Sequence, residues 1–144
     1  MLMVSTKGRY ALRAMIDIAE HNTGEYIPLK EIAERQEISV KYLESILPAL
    51  TKAGFLEGLR GKGGGYKLTR PPESYTAGSI LKLLEGNFAP VACLENVSKE
   101  CNRAHKCRTL PMWQKFQTTV DAFFEGITVA DLCEKKRRGI RSIN

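Results

Sequence analysis

Three cysteines carry the most distinctive chemistry in this sequence. Cys93, Cys101 and Cys107 are spaced C-x7-C-x5-C. Their neighbours are polar: Glu95, Asn96, Ser98, Lys99, Glu100, Asn102, Arg103, His105 and Lys106. Cysteines kept only as small apolar side chains do not gather in such a setting. Thiolates are the common ligands of zinc and of iron–sulfur clusters. Lys99, Arg103, Lys106 and Arg108 would favour the thiolate and offset cluster charge. The spacing lacks the paired C-x2-C of zinc knuckles. Zinc, an iron–sulfur cluster and a thiol redox switch therefore stand as comparable readings of these residues. His105, two residues before Cys107, is the nearest local candidate for a fourth ligand. Cys133 stands apart, beside Leu132 on the inner side of a short predicted helix, and reads as a core residue.

A second set of residues suits nucleic acid. Residues 39–68 read SVKYLESILPALTKAGFLEGLRGKGGGYKL. Leu43, Ile46, Leu47 and Leu50 follow the i, i+3, i+4, i+7 spacing of one buried helical face. Ser39 stands where an N-cap belongs. Lys41, Tyr42, Glu44 and Ser45 lie on the opposite face. Pro48 should kink this helix and Gly54 should end it. Residues 55–60 and 66–69 alternate as strands, joined by the glycine-rich tip 61–65. A helix followed by a basic hairpin is the winged form of a helix-turn-helix. The helix would meet base edges in the major groove. The wing would bring Arg60, Lys62 and Gly63 to phosphates or the minor groove. A core helix with an ordinary hairpin accounts for this stretch equally well when it is taken alone. A phosphate-binding loop does not, because no helix follows the glycines and Gly-Lys lacks the next Ser or Thr.

The elements that position these groups follow in order. Ser5 or Thr6 caps a first helix to about residue 22, with Ala11, Leu12, Met15, Ile16 and Ala19 as its inner stripe. Thr6 and Lys7 open it, away from that stripe. Pro28 sits at the first turn of a second helix with Leu29, Ile32 and Ala33 inward. This short helix, a tight link and the helix after Ser39 form the helix-turn-helix unit itself, which favours the DNA reading. Pro71-Pro72 breaks the chain after the wing. Thr76 caps a fourth helix with Ile80, Leu81, Leu83 and Leu84 inward, closed by Gly86. Residues 87–109 form the polar cysteine loop. Thr109 and Pro111 open a fifth helix. Its stripe of Trp113, Phe116, Val120, Phe123 and Phe124 is too aromatic for a lone surface helix and reads as a packing seam, either with the same helix of a second chain or with its own domain. Thr128 to Asp131 resembles a capping box. The basic tail 135–138 reads as a solvated end. The fold class is thus mainly α with a small β-hairpin. Residues 1–75 form a winged helix-turn-helix domain, and 76–144 carry the cysteine loop and dimerisation helices.

Composition agrees with this plan. The chain has 144 residues and a net charge of +6, which suits an anionic partner. No secretory signal or membrane-length apolar run is present, so a cytoplasmic protein is expected. An enzyme ranks last. There is no C-x-x-C pair and no cofactor-binding glycine motif, and only His21 and His105 are available as imidazoles.

The chain resembles the IscR-like (Rrf-two) family of bacterial transcription regulators over nearly its whole length. The resemblance rests on STKGRYAL at 5–12, LKEIA at 29–33, YLE at 42–44 and RGKGGGY at 60–66. It implies a homodimer of two winged units on a palindromic promoter site, crossed through the helix that starts near Pro111. The residues expected to contact DNA are Ser39, Lys41, Tyr42 and Glu44 on the helix, Arg60, Lys62 and Gly63 on the wing, and Thr6 and Lys7 on the first helix. The resemblance also implies a 2Fe–2S or 4Fe–4S cluster on Cys93, Cys101 and Cys107 that reports iron–sulfur supply, iron, redox state or nitric oxide. IscR-like members place a histidine ligand three residues after the last cysteine, where this chain has Leu110. NsrR-like members can use an aspartate near the start of the first helix, where this chain has Arg9. CymR-like members lack the three cysteines.

Overall fold

A computed structural model describes residues 4–95 and 102–133. Helix α1 (Thr6–Glu20) starts at Ser5, whose Oγ accepts from the Gly8 N–H at 3.2 Å. Gly8, Ala11, Ala14, Met15 and Ile18 form its buried stripe. Leu12, Ile16 and Ala19, expected fully inside, are half-buried at its edges. Helix α2 (Leu29–Gln36) starts one residue after Pro28, which is its N-cap and not part of its first turn. Glu37 turns the chain through a left-handed conformation, φ 54°, and Ile38 is buried. Helix α3 (Val40–Lys52) is capped by Ser39, whose Oγ accepts from the Tyr42 N–H at 3.1 Å. Leu43, Ile46, Leu47 and Leu50 are fully buried, as their spacing requires. Pro48 lies inside α3 without ending it. It removes a donor on the exposed side, where water can meet the orphaned carbonyl.

Strands β1 (Leu56–Leu59) and β2 (Gly65–Leu68) pair antiparallel, Leu56 opposite Leu68 and Leu59 opposite Gly65. β1 is shorter than the expected 55–60, and β2 has the expected length but starts one residue earlier than 66–69. A third extended residue joins them. Ile27 and Tyr66 exchange N–H···O=C bonds at 2.8 and 2.9 Å. That close approach explains Gly65, with φ +150°. A Cβ there would run into the backbone of Ile27 and Pro28.

The chain then turns through Pro72–Ser74 into helix α4 (Ala77–Glu85), capped by Thr76 and closed by Gly86. Ile80 and Leu81 are buried. Leu83, expected inside, is on the outer side and 39% exposed. Helix α5 (Leu110–Glu125) packs along α4, and α6 (Val129–Leu132) returns to α1. Thr128 and Asp131 do form a reciprocal capping box, with both bonds at 3.0 Å. The core lies among α1, α2, α3, α4, α6 and the base of the wing.

Two buried polar groups tie these elements together. Asp17 of α1, 1% exposed, accepts two bonds from the Arg35 guanidinium at 2.8 and 3.0 Å and one from Gln36 at 3.0 Å. The Tyr75 ring is fully buried beside Phe55. Its hydroxyl accepts from the N–H groups of Thr69 and Arg70 at 3.0 Å each and donates to the Phe55 carbonyl at 2.8 Å. One phenol oxygen thus holds both legs of the wing. Tyr75→Phe would leave those backbone groups without their partner. It should lower the unfolding free energy by about 1–3 kcal/mol. The reading is a lower urea midpoint at unchanged slope. An unchanged midpoint would show that the hydroxyl is dispensable.

Candidate nucleic-acid interface and cysteine loop

The residues expected to meet DNA come from three elements. Ser39, Lys41 and Glu44 are exposed along α3, Arg60, Lys62 and Gly63 at the wing tip, and Thr6 and Lys7 at the start of α1. The wing tip is a tight turn. The Gly64 N–H donates to the Gly61 carbonyl at 3.0 Å, and Gly61 and Gly63 take φ +90° and +76°. Tyr42 differs from the rest. It is half-buried, its ring edge-on to Tyr10 at 5.2 Å, so most of it packs α3 onto α1. The outer face of α3 and the wing border one open cleft. Glu44, Pro48 and Lys52 line it from α3, and Arg60 from the wing. Lys30 of α2 reaches the same cleft.

Lys30 and Lys52 were not singled out from the sequence. Lys52 was legible, being eight residues from Glu44 on the same helical face. Lys30 was not, because only the docking of α2 brings it there. Some cations of the described residues are ion-paired and others are not, and unpaired ones such as Arg70 and Lys115 also lie away from this surface. Arg35, Lys67 and Lys82 are ion-paired. Among the described residues, Lys7, Lys30, Lys41, Lys52, Arg60 and Lys62 make no ion pair. Cations without acidic partners are what a phosphate backbone requires.

The cysteine loop is anchored at both ends. Phe88 and Ala89 are buried, although the segment reads as polar. The Phe88 ring lies 5.1 Å from that of Phe124 on α5. Asn87 donates to the Glu95 carbonyl at 2.9 Å and closes the first part of the loop. Cys93 sits half-buried in the turn Ala92–Leu94. Cys107 sits half-buried just before α5, its Sγ 3.4 Å from Thr109 Oγ1. That hydroxyl, then the N–H groups of Thr109 and Leu110 and the charge of Arg103, draw the Cys107 thiol below its ordinary pKa. Cys101 lies outside the described residues, as does the basic tail. His105 is exposed. Among the described residues, no three His, Cys, Asp or Glu side chains converge on a metal position. A complete ligand set therefore requires Cys101 or a donor from beyond these residues. Cys133 donates to the Val129 carbonyl at 3.3 Å, and burial pushes its thiol up.

The expected dimer seam divides in two. Phe124 turns inward onto Phe88, while Trp113 and Val120 are half-buried. Phe116 and Phe123 are 41% and 59% exposed, and Met112, which the sequence reading passed over, is 54% exposed. No side chain of α5 is fully buried. Lys82 of α4 holds its other face, at 3.5 Å from Asp121 and 3.8 Å from Glu125.

Residues 4–135 match a family whose description is iron-dependent transcriptional regulator, Rrf2. The chain belongs to the Rrf2 family. Its relatives are transcriptional regulators, not enzymes. The IscR regulator of Aliivibrio salmonicida is 33% identical over 131 residues, 91% of this chain and 77% of that one. The solved structure of CymR, the global cysteine regulator of B. subtilis, is 34% identical with a TM-score of 0.75, covering 94% of this chain and 98% of that one. T. potens IscR is 37% identical with a TM-score of 0.72, covering 91% and 85%. The winged, mainly helical fold is thus the Rrf2 fold. Among the described residues, no helix is long and apolar enough to cross a membrane.

The contrasting environments of Cys107 and Cys133 in this Rrf2 chain give a test. In metal-free, reduced protein, Cys107 should be alkylated by iodoacetamide faster than Cys133 near neutral pH. Its thiolate is favoured, whereas that of Cys133 is opposed by burial. Peptide mass spectrometry over a time course reads the order. Faster labelling of Cys133 would contradict the geometry.

Proposed function

We propose that this Rrf2-family chain is a homodimeric DNA-binding regulator whose cysteine loop holds an iron–sulfur cluster, 2Fe–2S or 4Fe–4S. The observation that carries the proposal is the C-x7-C-x5-C loop ending on Cys107, two residues before the N-cap of α5. There a hydroxyl, two N–H groups and a guanidinium favour the thiolate, the ligand form of cysteine. The family's iron-dependent description and the likeness to IscR regulators support it. Cys93, Cys101 and Cys107 would be the protein ligands, with His105 the local candidate for a fourth. When bound, such a cluster supplies iron that responds to oxidants, nitric oxide and iron supply.

This chain's own residues would carry the signal. Cys107 is two residues from Thr109, the N-cap of α5, and Phe88 joins the loop to Phe124. A change in the loop would shift α5 and so the spacing of two wings. Residues 1–75 would read DNA and 76–144 would sense and dimerise. Thr6, Lys7, Lys30, Lys52, Arg60 and Lys62 would meet phosphate. Ser39, Lys41, Tyr42 and Glu44 would face the major groove, with Gly63 close to the backbone. Glu44 would accept from a cytosine amine and exclude other bases. A palindromic promoter site, a dimer across Trp113, Phe116, Val120 and Phe123, and a cytoplasmic setting complete the reading.

A thiol redox switch is the second reading, since a favoured thiolate is also the form that oxidises. Zinc is the third. Anaerobic purification separates them. The cluster reading expects a brown protein with iron and sulfide, lost in Cys93→Ser, Cys101→Ser and Cys107→Ser. His105→Ala should keep a cluster that decays faster, and Cys133→Ser should change nothing. A colourless wild type, or a spectrum that survives all three loop substitutions, would end the cluster reading.

The dimer has its own test. Phe116→Glu puts a charge on the open face of α5 without disturbing a buried residue. It should give monomers by sedimentation where the wild type is a dimer at micromolar concentration. A monomeric wild type would remove the seam.

A further inference from the structure

Val40 is the exposed large apolar residue of α3. It is the first residue of the helix and 40% exposed. The buried stripe of α3 is completed by Leu43, Ile46, Leu47 and Leu50. Val40 belongs neither to the core nor to the half-buried apolar residues packed against it. A β-branched residue is also no help to a helix start. The exposed large apolar side chains of the described residues are few. Phe116, Phe123 and Met112 stand on α5, Leu83 on α4, Leu59 on the wing and Val40 on α3.

We propose that Val40 reads a thymine C5-methyl group one or two base steps from the base read by Glu44. The inference rests on α3 being the DNA-reading helix. The N-terminal residues of such a helix approach base edges. The thymine methyl is the apolar feature of a major groove otherwise made of donors and acceptors. Val40 and Glu44 are an i, i+4 pair, so they lie on one side of the helix about 5–6 Å apart at Cβ. A base step along one strand is ~3.4 Å. Neighbours on this face therefore address nearby bases. The branched side chain is held at χ1, so its methyls are already placed before contact. Val40 and Glu44 together form a reader with one apolar and one acceptor point. It would favour a thymine close to a cytosine and penalise sites that lack either.

The test uses the full-length chain and a duplex that it selects from a random DNA library. Each thymine is replaced in turn by deoxyuridine, in both half-sites, which removes only the methyl. Affinities are read by fluorescence anisotropy for the wild type, Val40→Ala and Val40→Thr. In the wild type, one thymine position should cost about three- to ten-fold per half-site when its methyl is lost. Val40→Ala should bind the parent duplex more weakly by a similar factor and be indifferent to that one methyl. Val40→Thr keeps the shape and one methyl, so it should fall between and guard against a folding defect. A wild type indifferent to every thymine methyl, or a Val40→Ala that keeps the full dependence, overturns this inference alone. A chain that selects no duplex at all overturns the DNA-binding reading and this inference with it.

Discussion

Asp17 is the one fully buried charged side chain among the described residues, and the pairing of α1 with α2 beneath α3 is set by it. Its carboxylate takes both prongs of Arg35 and the amide of Gln36, so α2 is fixed to α1 in angle as well as distance. Arg13 adds to the lock by donating to the Gln36 carbonyl. The His21 ring turns back onto the Asp17 carbonyl at 2.8 Å. The Asp17 carboxylate in turn holds Arg35 charged, through its hydrogen bonds first. A buried ion pair is a poor source of stability compared with apolar packing, and its worth lies in geometry. Three directed bonds admit one docking of α2. Since α3 follows α2 after a tight turn, that docking fixes how α3 is presented.

The wing is subject to a second constraint of the same kind. A two-stranded hairpin alone is marginal in water. This one is held at its base by the Tyr75 hydroxyl and along its edge by Ile27. Gly65 permits the close backbone approach, and Thr69 Oγ1 closes the corner onto the Gly54 carbonyl at 2.7 Å. The tip is left free of such ties, with its cations outward. A firm base with an open tip suits contact with a partner that is itself a regular surface. On the other side, α4 links this unit to α5 through Lys82 and to the cysteine loop through its own C-terminal turn.

The helices and the wing were legible because their signals are local. Ser39, Thr76 and Thr128 cap within three residues, Gly54 and Gly86 stop helices by their own φ, and the α3 stripe has one solution. What escaped was set by distant partners. Asp17 interrupts an apolar stripe and meets Arg35 eighteen residues on, a pairing no periodicity announces. Phe88 stands in a polar segment, yet it is buried and its ring meets Phe124 of α5. Lys30 joins the cleft between α3 and the wing only through the docking of α2. In the cysteine loop the ligand types were legible, but their convergence depends on Cys101 and on donors that local spacing does not specify.

Helix α1 begins with a charge problem that the fold solves from far away. Its first turn has Lys7 and Arg9 and no acid of its own, at the end where helix partial charge is positive. Glu85, the last residue of α4, supplies the missing anion by accepting from the N–H and the hydroxyl of Ser5. Eighty residues separate the two. On a ribosome, the start of α1 emerges long before its counter-charge exists. Ser5 caps its first turn locally, but the anion that offsets its charge arrives only once α4 has been synthesised. The end of α1 that bears Thr6 and Lys7 is thus completed by a residue made eighty positions later.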